Sequence, residues 1–312
     1  SENTPVFIKD YGRGALATAS FRGTAPTHTK VNWNGLEINS PMTGMVDFSL
    51  IPVYLVDEMN LKHGAASIID QGGSLGGSVN IENTPEWNKA IDVKYNQGIG
   101  SYRTFNEFLQ FGIGSRKFRS QTRLYHNYSK NNYTFINSGV GEIDPETGDI
   151  INPLDTNKNA GYTVYGVLQE FYYRPDENNV LSAKWWFQDA DRALPKATSY
   201  EGPVNSNLNR QNDRHNRAVI DWKHYSDRSR MSLMAGYSSK QLDYKLENLV
   251  PGLGLVPAVY SESSLDSYIG RFSYSYDITE TLSVETSLDA NWETVDTRDS
   301  VAKTGYNEKR SE

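Results

Sequence analysis

Four glycines within six residues, in the stretch "DQGGSLGGSVNI" at 70–81, are the first candidates for chemistry. A glycine cluster ahead of an apolar run can cradle a phosphate with its backbone N–H groups. The spacing here does not suit that task. G-x-G-x-x-G needs glycines at n, n+2 and n+5, and Gly72, Gly73, Gly76 and Gly77 cannot be placed in that frame. No Gly-Lys-Ser/Thr ending follows, and the next residues read as a strand rather than as a helix whose N-terminus would hold an anion. The glycines are therefore expected to serve backbone geometry, through positive φ or close approach to a neighbouring wall.

Other reactive residues are scattered. His28, His63, His126, His215 and His224 show no H-E-x-x-H spacing, and His215 and His224, nine apart on a strand, fall on opposite faces. G-x-S-x-G is absent, so the many serines and aspartates lack a nucleophile elbow. No enzyme is expected. One loop offers hard oxygen ligands: "DPETGDIINPLDTNKNAG" at 144–161 contains Asp144, Asp149, Asp155, Asn157 and Asn159. "DTNKN" has the D-x-N-x-N opening of a calcium loop, although Ala160 replaces the turn glycine and Gly166 the closing glutamate. Turn-forming residues in a solvated loop explain the same composition.

The elements that must position these residues are strands. Period-two alternation marks nine segments, near 91–97, 104–113, 118–128, 162–173, 180–188, 214–225, 231–241, 268–276 and 282–293. In "LSVETSLDANW", Leu282, Val284, Leu288, Ala290 and Trp292 oppose Ser283, Glu285, Ser287, Asp289 and Asn291. "LSAKWWFQ" likewise sets Leu181, Ala183, Trp185 and Phe187 against Ser182, Lys184, Trp186 and Gln188. From the second strand onward, short polar turns ("GSRK", "RPDENN", "SDRSR", "DITE") alternate with long links at 129–161, 189–213, 242–267 and from about 294. A transmembrane barrel has that asymmetry, whereas a soluble sandwich has no need of it.

Composition is compatible. No run approaches the ~18 apolar residues of a spanning helix, but barrel strands average out as polar. Twenty tyrosines and six tryptophans are amphipathic aromatics of the kind that favour membrane interfaces. Zero cysteines exclude disulfides and thiolate chemistry, and a net charge of −7 without a basic stripe excludes a nucleic-acid partner.

Residues 1–85 resemble the second half of the plug domain of TonB-dependent outer-membrane receptors. The matching segments are "SFRG" at 20–23, "HTKVNWNGLEIN" at 28–39, "DFSLIP" at 47–52, "VDEMNLKHGAAS" at 56–67 and "GGSLGGSVNIEN" at 72–83, in the family's order and spacing. Within the family the plug looks most like that of vitamin B12 (cobalamin) transporters. The resemblance implies an all-β transmembrane β-barrel of a 22-stranded family, about nine strands being present, occluded by an N-terminal α+β plug. Residues 1–86 would be plug and 87–312 barrel. Nine strands cannot close in lipid, so the chain is expected to be part of a longer receptor.

The function implied is TonB-driven import of a large scarce nutrient across the outer membrane of a Gram-negative bacterium, with cobalamin as substrate. The alternatives are a siderophore or oligosaccharide importer, a plugged-barrel receptor or scaffold without transport, and a soluble carbohydrate-binding β protein. The implied partners are TonB (its pairing segment lying outside this chain), the bilayer and, as a further candidate, a surface lipoprotein. The plug's apical loops would bind ligand through Asn39, Ser40, Met42, Thr43 and Met45 of one loop and Asp70 and Gln71 of the other, with 129–161 closing above. Cobalamin transporters order outer loops with calcium, which gives Asp144, Asp149, Asp155, Asn157 and Asn159 a second reading as ligands.

Overall fold

The computed structural model describes residues 6–21, 23–40, 43–62, 76–195 and 207–311. The plug contains a hairpin, β1 (Val6–Asp10) with β2 (Ala17–Phe21), and a four-stranded sheet. That sheet comprises β3 (Thr29–Trp33), β4 (Leu36–Glu37), β5 (Glu58–Lys62) and β6 (Gly77–Glu82), in the order β4-β3-β6-β5. β3 and β6 run parallel, so Val31 pairs with Val79 and Trp33 with Ile81, all four buried on one face. On the opposite face Asn32 donates to Asn80 at 2.9 Å. Asn34 and Gly35, both at positive φ, make the tight turn from β3 to β4. Among the described plug residues the only helical pieces are three single 3-10 turns.

The barrel wall is one antiparallel sheet of ten strands. It begins with β7 (Ile91–Gly100), β8 (Thr104–Gly114) and β9 (Phe118–Ser129). The connection that follows carries two small pairs, β10 (Thr134–Ile136) with β13 (Leu154–Thr156) and β11 (Glu142–Ile143) with β12 (Ile150–Ile151). The wall resumes with β14 (Tyr162–Tyr173), β15 (Asn179–Leu194), β16 (Asn207–Tyr225), β17 (Ser229–Val250), β18 (Gly254–Asp277), β19 (Ser283–Asp299) and β20 (Thr304–Ser311). All nine expected strands are present. The tenth, β20, has no apolar alternation and was not expected.

Two expected long links are corrected. Residues 242–267 are mostly ladder: β17 and β18 run on to a turn at 251–253, with Gly252 and Gly254 at positive φ. Beyond the membrane both faces of a strand meet water, so period two is not required there. Pro257, which has no N–H to give, sits at the one register shift in this pair, beside the unpaired Ala258. The link expected from 294 is also short, because β19 continues to Asp299 and turns at once into β20.

The sheet is inside-out relative to a water-soluble protein. Ser182, Lys184, Trp186 and Gln188 are buried, while Leu181 and Trp185 are 42% and 43% exposed. Leu282, Val284, Leu288 and Trp292 are exposed as well. Arg119, Arg123 and Glu170 are at most 1% exposed, because they face the lumen where the plug sits. Lipid is the solvent that stabilises such a surface. Its dimensions fit. An outward aromatic row crosses the sheet at Trp185, Tyr237, Tyr268 and Trp292, which lie in register through Ala218. Tyr276 lies eight residues beyond Tyr268, about 27 Å along a strand and about 21 Å across a bilayer at a tilt of ~40°. That is close to the height of a barrel's apolar band.

Plug and wall share one core. Phe21, Trp33, Leu36, Leu50, Leu55 and Ile81 of the plug pack with Phe108, Tyr125, Leu168, Trp186, Val219 and Met234 of the lumen face. Trp33 and Trp186 meet edge to face at 5.5 Å, and Tyr54 stacks on Phe108 at 5.0 Å.

Candidate ligand site between plug and barrel wall

Strand alternation places every second wall residue in the lumen, and many of these are cationic. Burial there requires partners, which the plug supplies. Arg192 lies between Asp47 of the plug and Asp213 of β16, at 2.6 Å from each carboxylate. Arg123 pairs with Asp57 of the plug at 2.5 Å and with Glu170 of β14 at 2.9 Å. Lys240 donates to the carbonyls of Ile38 and Asn39 at 2.5 and 2.7 Å. The Asn34–Gly35 turn is held as well: Lys184 donates to Asn34 Oδ1 at 2.9 Å and Arg271 to the Gly35 carbonyl at 3.0 Å. Gln188 donates to the Leu50 carbonyl at 2.6 Å. The plug is therefore seated by hydrogen bonds and ion pairs as much as by apolar packing.

Among the gaps in this seam is a cavity of about 380 Å³. The plug loop 38–51 forms one side through Ser40, Thr43, Met45 and Val46, and the wall forms the other through Arg192, His215, Arg217, Lys240, Ser263 and Leu265. It lies beyond the aromatic row, toward the long β17–β18 hairpin, since Lys240 follows Tyr237 by three residues in that direction.

The proposed ligand residues divide. Ser40, Thr43 and Met45 line the cavity together. Asn39 does not: its side chain accepts from the Val31 amide and donates to the Thr29 and Gly44 carbonyls, so it shapes the loop from behind. Met42, Asp70 and Gln71, with Gly72 and Gly73, lie outside the described residues. The cavity's lining includes no described residue of 129–161. That segment reaches the β1–β2 hairpin instead, where Asn131 donates to the Arg13 carbonyl at 2.8 Å.

The candidate calcium residues are occupied with shaping their loop. Asp144 Oδ1 accepts from the Glu146 amide at 2.8 Å, the main cause that holds its carboxyl below the usual range. Asp155 accepts from the Thr156 amide and from Asn137. Asn157 donates to the Asn131 carbonyl, and Asn159, at positive φ, donates to the carbonyls of Leu194 and Asn209. Asp149 gives its carbonyl to the Asp144 amide. Among the described residues no group of three or more His, Asp or Glu is gathered as an ion site. As arranged, these five do not fit calcium.

The glycines also receive an answer. Gly77 lies at φ +150°, and a Cβ there would stand 2.6 Å from the Lys62 carbonyl and 3.1 Å from the Phe21 ring. A Cβ on Gly76 would meet Thr24 Oγ1 at 2.6 Å. The wall that Gly76 and Gly77 approach is the plug's own.

Residues 2–78 match the TonB-dependent receptor plug domain, and that plug sits against a membrane-type sheet. The chain's N-terminal quarter is similar to the plug of TonB-dependent receptors. Among curated relatives, the vitamin B12 transporter BtuB of Vibrio vulnificus (strain YJ016) is 29% identical over 90 residues, 29% of this chain and 14% of that protein. Two solved structures share the fold. The copper transporter OprC aligns with a TM-score of 0.68 at 14% identity, over 97% of this chain and 44% of that one. The ferric citrate transporter FecA in its unliganded form aligns at 0.64 and 9% identity, over 99% and 55%. The chain thus spans about half the length of these barrels. The plug match and the membrane-type sheet are those of a Gram-negative outer-membrane protein, and the exposed apolar face of the sheet is the lipid face. Arg192, His215, Arg217 and Lys240 were missed in the sequence. Alternation marks each as facing inward, but nothing local says that they stand level with one another and with the 38–51 loop.

Proposed function

We propose that this chain contributes the plug and about half the wall of a receptor that imports a large nutrient with energy supplied through TonB, and that the nutrient is cobalamin. The plug seated in the lumen by Arg192, Arg123 and Lys240 carries the import reading, since passage requires those contacts to be released. The outer membrane has no nucleotide pool of its own, so the work comes from a partner across the periplasm. Cobalamin is supported by the BtuB relative, whose similarity spans 90 residues, and by the mixed hydroxyl and thioether floor of Ser40, Thr43 and Met45. A broad ligand with amides and apolar edges suits such a surface. Calcium enters only as an ion that would have to draw Asp144, Asp149, Asp155, Asn157 and Asn159 together.

The test is equilibrium binding of cyanocobalamin to the complete receptor, with and without calcium, followed by uptake in cells with and without TonB. Saturable binding and TonB-dependent uptake are expected. Tight binding of a siderophore or oligosaccharide with none of cyanocobalamin would remove the substrate, and TonB-independent uptake would remove the mechanism.

A further inference from the structure

We infer that the cavity between the 38–51 loop and the wall is an oxyanion site, in which Arg217 and Lys240 hold a carboxylate or phosphate group of the ligand. The charges facing the cavity do not balance. The plug contributes Asp47, β15 contributes Arg192, β16 contributes Asp213, His215 and Arg217, and β17 contributes Lys240. Both carboxylates are engaged by Arg192, at 2.6 Å each. Neither Arg217 nor Lys240 has a carboxylate ion-pair partner among the described residues.

Each of the two is held by neutral groups alone. Lys240 donates to two carbonyls. Arg217, 3% exposed, stacks on the Trp186 ring at 4.2 Å, and its Nη2 lies 2.5 Å from His215 Nδ1. A guanidinium can only donate, so Nδ1 accepts and His215 is the neutral Nε2–H tautomer. The Nε and Nη1 groups of Arg217 are buried with no hydrogen-bond partner, and so is the Ser263 hydroxyl at the cavity edge.

The ladder sets these charges side by side. Lys240 is directly opposite His215, and Arg217 is opposite Ser238, so Lys240 and Arg217 are diagonal neighbours on the lumen face. Like charges so placed disfavour the fold. Seating the plug accounts for the hydrogen bonds of Lys240, and since Arg192 and its two carboxylates are together net −1, the lining keeps one positive charge in excess. A bound oxyanion compensates that excess and offers acceptors to donors that lack them. The cavity's 380 Å³ admits an acidic arm of a ligand rather than a whole corrinoid or metal chelate. The inference rests on the importer reading only for the source of the anion, since a corrinoid carries one phosphodiester and a polycarboxylate chelate several carboxylates.

The experiment is calorimetric titration of the complete receptor in detergent at low ionic strength with citrate and, separately, with inorganic phosphate. Saturable binding of at least one is expected, weakened about tenfold or more in Arg217→Gln and in Lys240→Gln. Arg214→Gln, whose guanidinium lies on Asp189 at 3.0 Å outside the cavity, is expected to titrate like the unaltered receptor. Should Arg217→Gln fail to fold, Arg217→Lys, which keeps the charge, is expected to retain binding while Lys240→Gln loses it. Absence of saturable binding for both anions, or binding unaffected by both neutralising variants, overturns the inference. Competition by cyanocobalamin then identifies the source, and failure of cobalamin binding alone leaves the anion site intact.

Discussion

Replacing Asp47 by Asn tests whether the plug is held in place by the Arg192 bridge. The exchange keeps the shape of the side chain and an acceptor for the Ala17 and Ser49 amides, which Asp47 Oδ1 binds at 3.0 Å each. It removes the charge facing Arg192. Arg192 would still be paired with Asp213, so the ~3–5 kcal/mol cost of orphaning a buried charge does not apply. With Oδ1 kept on those two amides, the Asn Nδ2 faces the Arg192 guanidinium donor against donor, so one charge-assisted hydrogen bond is lost, about 1.5–3 kcal/mol. Both partners are largely shielded from water, with Arg192 4% and Asp47 14% exposed, so screening takes little of that away. If the plug opens as a unit, amide exchange should accelerate about 10- to 150-fold. The assay is hydrogen exchange by mass spectrometry on the complete receptor, following peptides that contain Ala17–Phe21 and Phe48–Leu50. Arg192→Leu, which strands both carboxylates, should exchange faster still. Plug amides in Asp47→Asn that exchange within about twofold of the unaltered receptor would refute the reasoning and show that the Arg192 bridge does not hold the plug.

Leu288, 66% exposed and in register with Phe272 midway between the two aromatic levels, should tolerate Arg poorly. Leu288→Arg is expected to cost about 2–4 kcal/mol and Trp292→Arg, near the interface, about 0–1, measured by reversible folding into lipid vesicles. Equal costs at the two depths would contradict the placement of the bilayer. Gly77→Ala should destabilise the plug sheet by about 1–3 kcal/mol, because of its φ of +150° and the Lys62 carbonyl 2.6 Å from a Cβ. Protease sensitivity of the plug rises in that variant if the geometry is right.

The sequence by itself determined the membrane sheet and the plug. Period two needs no long-range information: Leu181 and Trp185 against Ser182 and Lys184 already specify an apolar outside and a polar inside, and the plug segments carry their own pattern. Three things were decided only by tertiary structure. The β17–β18 hairpin extends as ladder beyond the bilayer, where water on both faces erases the alternation that marks a strand. The glycines at 76–77 approach Phe21, Thr24 and Lys62, residues brought close by the parallel pairing of β3 with β6 across more than forty positions. The cavity joins Ser40, Thr43 and Met45 to Arg217 and Lys240 because strand register sets the height of each inward side chain, and the plug's seat sets which of them it meets. Alternation reports the direction of a side chain but not its level, so the cations of the site could be read as facing inward and not as facing one another.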